Sequence, residues 1–208
     1  MPVSEDEPSV ELAKLQQQKH FSIHQKITMM VNQYVVTASD ASGTQGEQVA
    51  FVEQKRMAVR EEVTFYVDES KREPLLRFKA RKVIDLGSGY DVTTPDGSPI
   101  GLFRKNFGAS LMRTTWHIEQ PSAPPITGQE RNVLVAVLRR IWDFIPFADM
   151  VPFAWPYHFD FASPAGPVMT VEKKLGLRDR YVLTVHADAM DRRLAIAMAI
   201  ALDALQSR

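Results

Sequence analysis

The sequence predicts a mainly β domain, in the α+β sense, closed around a helix. A glycine-led phrase recurs three times, each copy flanked by alternating apolar strands. A C-terminal run, Leu194 to Leu202, carries no polar side chain. The 208 residues are 45% hydrophobic and 24% charged, enough apolar material for one sizeable core.

The chain opens on the acidic stretch "MPVSEDEPS". It has no apolar run of the secretory kind and no glycine placed for myristoylation, so the expected location is cytoplasmic, with room for peripheral membrane contact. Residues 1–19 are expected to be a mobile segment with a short helix whose few apolar contacts are Val10, Leu12 and Leu15. Residues 20–208 are expected to form a single domain.

From about Ile27 short runs rich in Val, Phe, Tyr and Thr read as strands. The repeated phrase is "GEQVAFVEQK" from Gly46, "GSPIGLFRK" from Gly97 and "GPVMTVEKK" from Gly166. Upstream lie Tyr34-Val36-Ala38, Tyr90-Val92-Thr94 and Tyr157-Phe159-Phe161. Downstream lie Val63-Phe65-Val67, Trp116-Ile118 and Tyr181-Leu183-Val185. The period of two places each set on one strand face. "PDGSP" and "SPAGP" supply turn chemistry between strands. Convergence of unrelated meanders on one pattern is the alternative; matching flanks in all three copies favour duplication.

Two segments break this pattern. After "PSAPP", Thr127 and Glu130 have capping-box spacing. Val133, Leu134, Val137, Leu138 and Ile141 follow at helical spacing, with Arg131, Arg139 and Arg140 off that face, which predicts an amphipathic helix over 128–142. The proline-interrupted stretch that follows, with Trp142, Phe144, Phe147, Phe153 and Trp155, is not one regular element.

The second break is a helix expected over 188–206. Its bare apolar run of nine residues is too short for a bilayer, which takes about 20. Four of those nine residues are alanine and the rest larger apolar side chains, and a helix apolar all round belongs inside a soluble core. The alanines let strands approach closely, so Ala197 and Ala199 are expected to be almost wholly buried. Asp188 and Asp191 sit where a cap and the positive helix end favour carboxylates.

Meanders with G-x-x-[VI] hairpins ending in a wholly apolar helix resemble the tubby C-terminal-like superfamily, including the phospholipid scramblases and the LURP-one-related proteins. "YDVTTPDGSPIGLFRK" and "DRRLAIAMAIALDAL" carry the likeness most clearly, within a span from about Ile27 to Leu205. The resemblance implies a roughly twelve-stranded antiparallel barrel threaded by the C-terminal helix, together with lipid or phosphoinositide contact or membrane-linked regulation. The scramblases' palmitoylated cysteines have no counterpart, because the chain has no cysteine. Their acidic calcium segment is echoed only by Asp188 and Asp191.

Charge narrows the partners. Lys+Arg and Asp+Glu are 25 each, so no global field favours nucleic acid or an anionic membrane. Disulfides, thiolate metal sites and cysteine nucleophiles are excluded. "GSG" at Gly87–Gly89 lacks the rest of a dinucleotide fingerprint, and no Walker, serine-elbow or zinc-hydrolase pattern occurs. No enzyme activity and no cofactor are expected. His20 and His24 have the spacing of one helix face but no third ligand, so solvated histidines are the plainer reading. Asp188 and Asp191 are weak calcium candidates, since Ca²⁺ takes six or more oxygens; capping is the plainer reading.

Two features could bind a partner. Arg77, Lys79 and Arg81 alternate, so a strand shows all three on one face, and Lys82, Arg104, Lys105 and Arg113 could extend the patch. Such a face suits anionic phospholipid, against the plainer reading of a solvated wall with acidic neighbours. The aromatic stretch 142–157 could serve a protein partner or a membrane interface, against the plainer reading of a cap on the core. The leading expectation is a non-enzymatic binding or regulatory protein. A protein–protein module is the alternative, and phospholipid scrambling is weaker still, because a helix-filled barrel has no polar path through a bilayer.

Overall fold

The computed structural model describes residues 7–27, 31–55, 62–81, 89–106, 115–131, 158–174 and 180–205. The helix α1 (Glu7–Gln17) precedes the strands β1 (His20–Ile27), β2 (Val31–Ser39), β3 (Gln45–Lys55) and β4 (Glu62–Tyr66). Then come β5 (Pro74–Ala80), β6 (Tyr90–Thr93), β7 (Pro99–Asn106) and β8 (Thr115–Glu119). The last four strands are β9 (Ile126–Glu130), β10 (His158–Ser163), β11 (Gly166–Lys174) and β12 (Arg180–Val185), and a second helix, here α2 (Arg192–Ala204), follows them.

The twelve strands form a closed antiparallel barrel in which each pairs with its neighbours in sequence and β1 closes on β12. Closure removes both sheet edges, which would otherwise present unpaired backbone groups. The three meanders read from the sequence are β2–β3–β4, β6–β7–β8 and β10–β11–β12, with β1, β5 and β9 each adding a strand before one of them.

The alternating sets point where period two requires. Tyr34, Val36, Val63, Phe65, Tyr90, Val92, Trp116, Ile118, Phe159, Phe161, Tyr181, Leu183 and Val185 are all buried in one core cluster. Turn glycines at positive φ, Gly43 (85°), Gly97 (92°) and Gly166 (130°), reverse the chain before the middle strand of each meander. In the first copy the turn glycine is therefore Gly43; Gly46, which the repeat singles out, lies inside β3.

The helix α2 is the axle of this barrel. Every residue from Leu194 to Leu202 is buried, Ala197 and Ala199 included. Wall and axle meet closely at Gly101, where a Cβ would lie 2.7 Å from Leu194 Cδ2 and 2.6 Å from the Glu119 carbonyl oxygen. Only a residue without a side chain allows that approach.

Side chains pin both ends of the axle. Asp191 is the N-cap and accepts from the Arg193 amide at 2.8 Å and from Gln16 Nε2 at 2.9 Å. Gln16 Oε1 in turn accepts from the Arg192 amide at 3.1 Å, so α1 is clipped to the first turn of α2. Leu15 of α1 joins the core. At the other end Asp203 accepts hydrogen bonds from the hydroxyls of Tyr34, at 2.8 Å, and of Tyr181.

Arg192 is only 1% exposed. Its guanidinium donates to the carbonyls of Gln18 (3.0 Å), Asp188 (2.8 Å) and Met190 (2.7 Å), and more distantly to Ala187 (3.4 Å). Burial pulls its pKa down and the nearby Asp188 and Asp191 carboxylates oppose that. The sequence makes Arg192 look like a flanking surface charge, whereas it ties the chain before β1 to the loop after β12.

One expectation is corrected. Residues 126–130 form β9, so no helix starts at Gly128 and Thr127 with Glu130 is not a capping box. Glu130 is buried instead, and Arg131 pairs with Asp160 across the β9–β10 ladder. The rest of the expected helix, 132–142, lies outside the described residues.

Candidate functional site

The strand β5 turns Leu76 and Phe78 into the core and Arg77 and Lys79 outward, with Arg81 continuing the outer column. Antiparallel register sets acidic residues beside them. Lys79 lies opposite Glu62 and contacts it at 2.8 Å. Arg81 grips Asp91 of β6 in a fork, with Nε at 2.9 Å and Nη2 at 2.7 Å from Oδ1.

Arg104 reaches the same zone from β7. Gly89, at φ 87°, lies between, and a Cβ there would sit 3.1 Å from Arg104 Cβ. Arg104 pairs with Glu119 at 3.4 Å, and Glu119 also adds to the field that, behind the Asp91 hydrogen bonds, holds Arg81 more firmly charged. The basic residues thus converge, but into a mosaic of alternating sign. Arg77 shares this outer face but has no carboxylate partner among the described residues; it reaches the Pro95 carbonyl at 3.5 Å.

The remaining members of the stripe divide. Lys105 follows Arg104 on the ladder and lies opposite the buried Trp116, so it belongs to the inner face. Lys82 and Arg113 lie outside the described residues, as do Trp142, Phe144, Phe147, Phe153 and Trp155. Asp191 is the helix cap described above, and Asp188 is exposed with Lys19 at 3.3 Å. Among the described residues no group of three or more His, Asp or Glu could hold a metal ion. Nor is any described helix long and apolar enough to cross a membrane.

His20 and His24 lie on β1, on its outer face, and not on a helix. Around His24 the structure assembles residues that the sequence does not connect. Ser22 Oγ sits 3.2 Å from His24 Nε2 and accepts from Arg180 Nε at 3.2 Å. Arg180 Nη2 donates to the Gly43 carbonyl at 3.1 Å, and Gln45 Nε2 donates to His24 Nε2. Burial first and the Arg180 charge second lower the pKa of His24. The signal missed in the sequence was barrel closure, which alone brings β1 beside β12.

The helix-filled barrel and its hairpin repeats can be set against known proteins. The model of the LURP-one-related family matches residues 48–203, from inside β3 to the last turn of α2. The chain belongs to the LURP-one-related family. In this LURP-one-related chain β1 and β2, which complete the ring, precede the matched span. No curated protein and no solved structure matches it.

Proposed function

We propose that this LURP-one-related chain is a non-enzymatic binding or regulatory protein that meets anionic phospholipid reversibly through its β5–β7 wall. The observation that carries the reading is the convergence of Arg77, Lys79, Arg81 and Arg104 on one outer face. Four cations there meet three carboxylates, Glu62, Asp91 and Glu119, so the described patch keeps an excess of one positive charge. The resemblance to tubby-like and scramblase proteins supports the same ligand class. The interior is filled by α2, so the ligand is met from outside.

Magnitudes make the contact weak and salt-labile. Exposed ion pairs are worth about 0–1 kcal/mol, and a basic residue near an anionic bilayer gains about 1 kcal/mol. The lipid surface therefore competes on even terms with the mosaic's own carboxylates. Flotation on phosphatidylglycerol vesicles at low ionic strength, set against phosphatidylcholine vesicles, tests this. The expected result is flotation on the anionic vesicles alone, reduced in an R77Q/K79Q double variant. Equal failure on both vesicle types refutes the lipid reading.

A further inference from the structure

The β11–β12–β1 wall carries a different arrangement. His24, Arg180 and Lys174 are register partners in one row across three adjacent strands. Cation-forming residues directly opposite each other on a sheet repel. Elsewhere on the described wall cations meet carboxylates, directly opposite as with Lys79–Glu62, or across the diagonal as with Arg81–Asp91, Arg104–Glu119 and Arg131–Asp160.

Arg180 differs from these four cations. Its partners are a hydroxyl, Ser22 Oγ, and a carbonyl, Gly43 O, both neutral. Ser22 is buried, and the turn that offers Gly43 contains a glycine at positive φ, so the guanidinium is held by built structure. Nη1 has no partner among the described residues. Lys174, beside it, engages Glu172, which also holds His158. The Lys174–Glu172 pair is exposed on the lysine side, and such a pair yields readily.

We propose that Arg180 and Lys174 form a binding site for a phosphate dianion on the β11–β12–β1 wall. A guanidinium edge presents paired donors to phosphate oxygens, and the adjacent ammonium adds a point charge. An arginine held by neutral groups, beside a lysine whose exposed pair with Glu172 yields, together suit a doubly charged ligand, which a carboxylate is not. The turn over residues 40–45 forms one rim, through Gly43 and Gln45. The site is separate from the β5–β7 wall and does not depend on the lipid reading there.

The test is a titration of the full chain with inorganic phosphate, following the ring signals of its histidines by NMR. His24 is expected to shift saturably while His117, on the far wall, stays still. R180Q is expected to weaken the response about tenfold or more, as loss of a charge-assisted hydrogen bond does. R77Q is expected to leave it unchanged. K174Q, which keeps Ser22 and Gly43 in place, is expected to weaken it several-fold and serves if R180Q does not fold. Flotation on phosphatidic acid vesicles, with and without R180Q, tells a lipid headgroup from a soluble phosphate monoester as the source. Uniform shifts of all histidines, or an unaltered titration in both R180Q and K174Q, overturn the proposal.

Discussion

The ring of Phe161 on β10 fills the space over Gly128 on β9, its register partner. A Cβ on Gly128 would lie 2.1 Å from Phe161 Cε1. Phe161 is itself buried, so the ring has no room to yield. Gly128→Ala is expected to destabilise the fold by about 1–3 kcal/mol, the usual cost of overpacking. Urea denaturation checks it. In a Phe161→Leu background the same change is expected to cost less, because the two residues share one space.

The axle has the same sensitivity. Ala197 is wholly enclosed in the barrel. Replacing it with Leu is expected to cost about 1–3 kcal/mol, read as a lowered thermal midpoint. An unchanged midpoint would contradict a helix packed on every side.

Arg192→Leu removes the donors to the Gln18, Asp188 and Met190 carbonyls at the mouth of the barrel, of which the Met190 bond is buried and the other two part-buried. A buried acceptor left without a partner costs about 1–3 kcal/mol. The expected loss is about 1–3 kcal/mol by urea denaturation. Arg192→Lys is expected to recover part of it, since an ammonium donates but lacks the planar fork.

His24 gives a pH dependence with a defined sign. Its folded pKa lies below the ordinary histidine value of about 6.5, through burial and then Arg180. Between that lowered value and 6.5 the unfolded chain binds more protons than the folded one. Stability is therefore lost as pH falls through this window. His24→Gln is expected to flatten the slope of stability against pH just below 6.5, measured by denaturation at a series of pH values. NMR titration of the wild-type ring is expected to place its midpoint below 6.5, and R180Q is expected to move it upward.

The barrel's repeats and axle were legible because they depend on local alternation and on one unbroken apolar run. The β9 strand was not. Thr127 and Glu130 match a capping box by spacing, yet they sit on opposite faces of a strand, and Gly128 is there to seat Phe161. The basic stripe was legible as a column on β5. Its neutralisation was not, because Asp91 and Glu119 come from β6 and β8 and meet it only through register. Arg180 is further from reach: its partner Ser22 lies at the other end of the described chain, and only ring closure joins them.

That closure has a consequence for how the molecule is made. β1 needs β12 for its second neighbour, and the segment that fills the ring follows β12. A nascent chain that has emerged only as far as β12 owns the staves of the cask and nothing inside it. Its inward aromatic faces stay uncovered until α2 leaves the ribosome, and long-range pairing of this kind is slow. The vulnerable moment for this protein is therefore the interval after β12 has emerged and before α2 has, when an incomplete cask exposes the apolar surface that chaperones bind.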